Sequence, residues 1–181
     1  RVHIALGDVA GARDMIASGL AARPWNSFEP LDRRHAAMIT ALALVGDTAR
    51  AAAIAADWTT NMPQQYKLID SLDVLAARSE LALARGDPKE ALRVLRLSDV
   101  KGCRACVYPR YARIFDALQM PDSVIVYYEK YASATMPASP MTDAYELART
   151  YRRLGEIYEQ RREWRHAMDR YQDFVNLWEH A

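Results

Sequence analysis

Apolar and small residues recur along this chain at steps of three and four, the period of one face of a helix. Leu68, Leu72, Leu75, Ala76 and Ser79 form one such stripe, and Tyr108, Tyr111, Ala112 and Phe115 form another. No run alternates at period two over the length of a strand, so the pattern reads as all-α. It predicts helices over 9–22, 31–45, 48–61, 64–85, 88–97, 108–118, 121–135, 142–160 and 163–180. Loops are expected over 23–30, 98–106 and 136–140, where helix breakers gather.

The helices are punctuated by a repeated signal. Five times a short turn is followed by a small or β-branched residue that opens a second helix. The five are Gly7-Asp8 before Ala12, Gly46-Asp47 before Ala51, Gly86-Asp87-Pro88 before Ala91, Met120-Pro121-Asp122 before Val124, and Arg162-Glu163 before Ala167. Successive differences between the five closing positions are 39, 40, 33 and 43 residues. Gly suits a left-handed end to the first helix, Asp caps the start of the second, and Pro88 is tolerated in an opening turn. Each turn therefore folds a helix back on its predecessor, and one repeat array over 1–181 is expected.

The last pair carries Tyr151-x-x-Leu154-Gly155-x-x-Tyr158 followed by Ala167-x-x-x-Tyr171. This string resembles the tetratricopeptide (TPR) repeat, whose period is about 34 residues. Ala12 to Pro24 and Ala51 to Pro63 repeat the spacing from small residue to closing proline. At the signature places of the first helices stand His35, Met38, Ile39 and Leu42 in the second pair, and Leu75, Arg78, Ser79 and Ala82 in the third. The resemblance implies antiparallel helix pairs stacked into a right-handed superhelix, an α-solenoid, with the first helix of each pair lining a concave face that binds proteins or peptides. From Cys103 onward the chain is also similar to the C-terminal TPR region of bacterial multidomain signalling proteins, chiefly serine/threonine kinases and transcriptional regulators. That similarity rests on Cys103-x-x-Cys106, Pro121-Asp122-Ser123, Tyr127-Tyr128-Glu129-Lys130-Tyr131 and Tyr151-Arg152-Arg153-Leu154-Gly155.

Composition narrows the function classes. The 181 residues hold 24 Lys plus Arg against 23 Asp plus Glu, so no global field favours nucleic acid or an anionic membrane. No stretch approaches the roughly 18 consecutive apolar residues of a membrane span, and no membrane insertion by this segment is expected. The chain opens on Arg1 without an initiator Met and reads as part of a longer protein, which leaves its compartment open. No nucleotide-binding glycine string and no catalytic triad spacing occurs, so the chain reads as a non-enzyme without a cofactor. His35, on a helix of Ala, Met and Ile, reads as a core imidazole. Cys103 and Cys106, the only cysteines, lack the further ligands of a zinc site and the βαβ unit of a redox motif. A local disulfide and two free thiols both remain open.

Two residue sets could carry recognition. The aromatics Tyr127, Tyr128, Tyr131, Tyr145, Tyr151, Tyr158, Trp164, Tyr171, Phe174 and Trp178 have helical spacing and read as packing between the last helices. The arginines Arg149, Arg152, Arg153, Arg161, Arg162, Arg165 and Arg170 interleave with Glu146, Glu156, Glu159, Glu163 and Asp169, which favours ion-paired faces over a nucleic-acid groove. In the TPR register the concave stripe is Arg149, Arg152, Glu156 and Glu159. Its counterparts are Arg113 and Asp116, Asp73 and Glu80, and Arg33 and Thr40. A peptide with charges of both signs, or one anchored by apolar side chains, is the expected partner. A structural oligomerisation or spacer segment is the alternative, and nucleic-acid binding by a helical-repeat groove a weaker one.

Overall fold

The structure is a computed structural model that describes residues 3, 7–99, 104–134 and 144–177. Among these residues every regular element is helical. The nine α-helices are α1 (Val9–Ala22), α2 (His35–Leu44), α3 (Thr48–Asn61), α4 (Gln64–Ala84), α5 (Pro88–Ser98), α6 (Arg104–Ala117), α7 (Pro121–Ala134), α8 (Ala144–Gln160) and α9 (Trp164–Asn176). Short 3-10 turns at Trp25–Ser27 and Pro30–Asp32 join α1 to α2. The chain divides into two compact units, Arg1–Gly102 and Cys103–Ala181.

One backbone device builds five of the turns. The residues at φ 80, 78 and 79° are Gly7, Gly46 and Gly86, and Gln119 at 57° and Arg162 at 61° stand in the same place without being glycine. The next residue then donates its N–H back to the closing turn of the preceding helix. Asp8 bonds the His3 carbonyl, Asp47 that of Leu42, Asp87 that of Ala82, Met120 that of Phe115 and Glu163 that of Tyr158. This pairing satisfies carbonyls that a helix end leaves open. Five residues after each left-handed position comes a buried anchor: Ala12, Ala51, Ala91, Val124 and Ala167. In the first three turns the Asp side chain also caps the new helix, accepting from the N–H of Gly11, Arg50 and Glu90. Gln119, not Pro121, is thus the hinge of the fourth turn.

Because the turn fixes the register, the facing residue of each first helix follows. Ile39, Ser79, Ala112 and Gly155 occupy equivalent places, and all are buried. Ser79 lies so close to its anchor that its hydroxyl donates to the Ala91 carbonyl at 2.9 Å. A Cβ on Gly155 would stand only 2.5 Å from Tyr171 Cε1. The core of the first unit gathers Ile39, Leu42, Ala51, Ile54, Val74, Ala77 and Leu81 around this contact. In the second unit Ala112, Val124, Tyr128, Leu154, Ile157, Tyr158 and Ala167 do the same.

Three expectations need correction. The helix expected over 31–45 begins only at His35, because Pro30–Asp32 forms a separate 3-10 turn and Arg33 is extended. The helix expected from 108 begins at Arg104 and carries Pro109 inside it. That proline is buried, and the Arg110 guanidinium donates to the Cys106 carbonyl across this irregular stretch. The stripe on α4 faces the core only in its second half. Ala76 and Ser79 are buried, whereas Leu68 is 77% exposed and Leu72 is exposed as well.

Candidate interaction face

The residues expected along the concave face are mostly engaged by the scaffold itself. In the second unit Arg113 on α6 donates to Glu146 on α8 at 2.6 Å, and Arg153 grips Asp116 through two bonds of 2.9 and 2.7 Å. Arg153 also reaches Glu156 at 3.0 Å. These contacts lace α6 to α8, two first helices of successive pairs. The bidentate hydrogen bonds to Asp116 hold the Arg153 guanidinium above its ordinary pKa. Glu159 points toward α9, where it accepts the Tyr171 hydroxyl at 2.7 Å. Burial, followed by that bond, pushes the Tyr171 phenol up to about 12.

Two arginines on α8 escape this lacing. Arg149 is exposed with no ion-pair partner among the described residues, and Arg152, 58% exposed, comes no nearer than 3.6 Å to Glu156. The stripe keeps its mixed charge at the surface of α8: Arg149 and Arg152 stand exposed with Glu159, whose bond to the neutral Tyr171 hydroxyl leaves its carboxylate charge in place.

The counterparts in the first unit are more varied. Asp73 is exposed and Thr40 half-buried. Glu80 is 4% exposed, which removes it from a solvent-facing stripe. Its position falls where α4 is enclosed by the helices packed around its second half. Arg33 is not on a helix face at all. It donates to the Phe28 carbonyl and, at 2.9 Å, to Asp57.

Asp57 is a hub that the sequence reading did not single out. One of its oxygens accepts from Arg33 and from Asn61, the other from Trp25 Nε1 at 2.9 Å and His35 Nε2 at 2.8 Å. The Trp25 and His35 rings meet edge to face at 5.2 Å. Burial alone would raise the carboxyl. The hydrogen bonds from Trp25, Asn61 and His35, with the Arg33 charge, hold it well below the usual carboxylate range. His35 also sets its second nitrogen 3.0 Å from the Arg33 carbonyl. With both carboxylate oxygens and both imidazole nitrogens occupied, the cluster has the form of a clasp: it ties the 3-10 segment to α3. The one advance signal was a lone carboxylate beside Trp58 in an alanine-rich helix.

Of the aromatic set, Tyr128, Tyr131 and Tyr158 are buried as packing predicts, and burial pushes the Tyr128 phenol up to about 12. Trp164 departs from that reading, being 62% exposed on α9. The side chains of Tyr145 and Trp178 lie outside the described residues. Cys106 is disulfide-bonded, which sets aside the free-thiol alternative for it, and Cys103 lies outside the described residues. Among the described residues no helix is long and apolar enough to cross a membrane.

Fold and face together define an all-helical, repeat-like chain, in whose second unit α6 and α8 are laced by ion pairs. No protein-family model, curated protein or solved structure matches it.

Proposed function

We propose that this chain is a non-catalytic scaffold of the TPR kind, a right-handed solenoid that binds a protein or peptide segment as an interaction or sensory module of a larger bacterial signalling protein. Support for the repeat comes from five turns, each with its left-handed residue, its returning N–H and its buried anchor. The observation that carries the binding reading is the pair Arg149 and Arg152. Both are exposed on α8, Arg149 without an ion-pair partner among the described residues and Arg152 only loosely paired at 3.6 Å with Glu156, which Arg153 also engages. A ligand that presents a carboxylate to these guanidinium groups gains charge-assisted hydrogen bonds without breaking the lacing.

The test starts from a displayed random-peptide library selected on the folded chain. The affinity of a selected peptide is then measured for Arg149→Glu and Arg152→Glu variants with unchanged helical content. A loss of roughly tenfold or more, about 1.4 kcal/mol, is expected in each. Affinity unchanged from the wild type in both variants, or failure to select any peptide, overturns the reading.

A further inference from the structure

The contacts around Asp57 require one proton more than a neutral imidazole supplies. His35 sets Nε2 2.8 Å from the Asp57 carboxylate and Nδ1 3.0 Å from the Arg33 carbonyl. Neither oxygen has a hydrogen to give. The carboxylate already accepts from Trp25, Arg33 and Asn61, and the Arg33 carbonyl accepts the His35 backbone N–H at 2.9 Å. A neutral ring carries a hydrogen on one nitrogen only and would turn the lone pair of the other onto an oxygen. The imidazolium donates in both directions, so the geometry is that of the charged ring. Burial leaves water little access to mend a missing bond: the His35 side chain is 3% exposed.

Two features oppose that second proton. The Arg33 guanidinium, from the 3-10 segment, stands 2.9 Å from the same carboxylate, so Arg33, His35 and the single acid Asp57 of α3 carry one positive charge in excess. His35 is also the first residue of α2, at the positive end of the helix dipole. Trp25, which meets the ring edge to face, adds no charge. A proton held by two hydrogen bonds and opposed by two positive neighbours is one that a moderate rise in pH removes.

We propose that the Asp57 cluster is a pH-sensitive latch: His35 as the imidazolium fastens residues 23–34 to α3, and loss of its proton loosens them. Because the charged ring belongs to the fastened form, latching is complete where Asp57 and His35 are both ionised and weakens as pH rises. None of this rests on Arg149 and Arg152, which lie on α8 in the other unit. Nitrogen-15 NMR of the wild-type chain at about pH 7, with the ring assigned through its bonds, should show both His35 nitrogens protonated. Trypsin reads the latch itself, since it cannot take the Arg33 side chain into its pocket while that side chain is held on Asp57. After correction for trypsin's activity on an unstructured peptide, cleavage after Arg33 and Arg34 should rise severalfold between about pH 7 and pH 9. Cleavage after Arg165, exposed on the other unit, should not rise, and His35→Gln, which does not titrate, should lose the pH dependence at Arg33 and Arg34. A neutral His35 tautomer in the NMR spectrum, wild-type cleavage that is flat in pH, or an equal rise in His35→Gln would each overturn the proposal.

Discussion

Asp57 shows how one side chain can fix a segment that has little helical structure of its own. Residues 23–34 contain two prolines and two 3-10 turns, and their backbone leaves polar groups that helix formation would have satisfied. The carboxylate collects Trp25 and Arg33 from this segment, together with His35 and Asn61. Asp57→Ala strands an imidazole and a guanidinium that are nearly buried, and should cost about 3 kcal/mol. A depressed folded pKa means that the contribution is complete above the unfolded value of about 4 and is lost as pH falls below it. Thermal melts of the wild type and Asp57→Asn should therefore differ most near neutrality and converge as pH drops toward 2. Curves that stay parallel would remove the clasp from the acid response.

At the level of the helix pair, the close approach rests on very small groups. Gly155 is within a helix, where alanine would ordinarily add roughly 0.5 to 1 kcal/mol of stability. Here a Cβ would collide with the Tyr171 ring at 2.5 to 2.9 Å, and moving the ring breaks its bond to Glu159. Gly155→Ala should thus destabilise by about 1 to 3 kcal/mol. Combined with Tyr171→Ala, the same substitution should become neutral or stabilising, because the obstruction is gone. A double-mutant cycle on chemical unfolding measures this coupling, and additive effects would place the Tyr171 ring elsewhere. The turn beside this pair carries its own strain. Arg162 takes, at φ 61°, the place that glycine fills in the first three turns.

Over the whole molecule, each of the nine helices read from apolar spacing has a counterpart among the described residues, because a helix face repeats every few residues and is legible locally. What the spacing could not supply is which faces a neighbour reaches. Leu68 and Leu72 continue a perfect stripe on α4, yet they stand beyond the packed half of that helix. The fate of the charged stripe was hidden for a related reason. Arg153 lies near Glu156 along its own helix, as expected, but its closest grip is on Asp116, 37 residues away. Trp25 and Asp57, 32 residues apart, escaped notice likewise. The turns were partly legible: three announce themselves by Gly and Asp, whereas Gln119 and Arg162 reach the same backbone conformation without the residue that advertises it.

Trp164 lends the molecule an optical property. Its indole is 62% exposed, whereas Trp25 is half-buried, hydrogen-bonded to Asp57 and set against an imidazole. Iodide, which quenches by collision, should reach Trp164 far more readily than Trp25. Trp164→Phe should accordingly remove a red-shifted, strongly quenched part of the native emission, and Trp25→Phe a weaker, shielded part. An emission spectrum whose quenching slope is unchanged by Trp164→Phe would contradict the exposure of that ring.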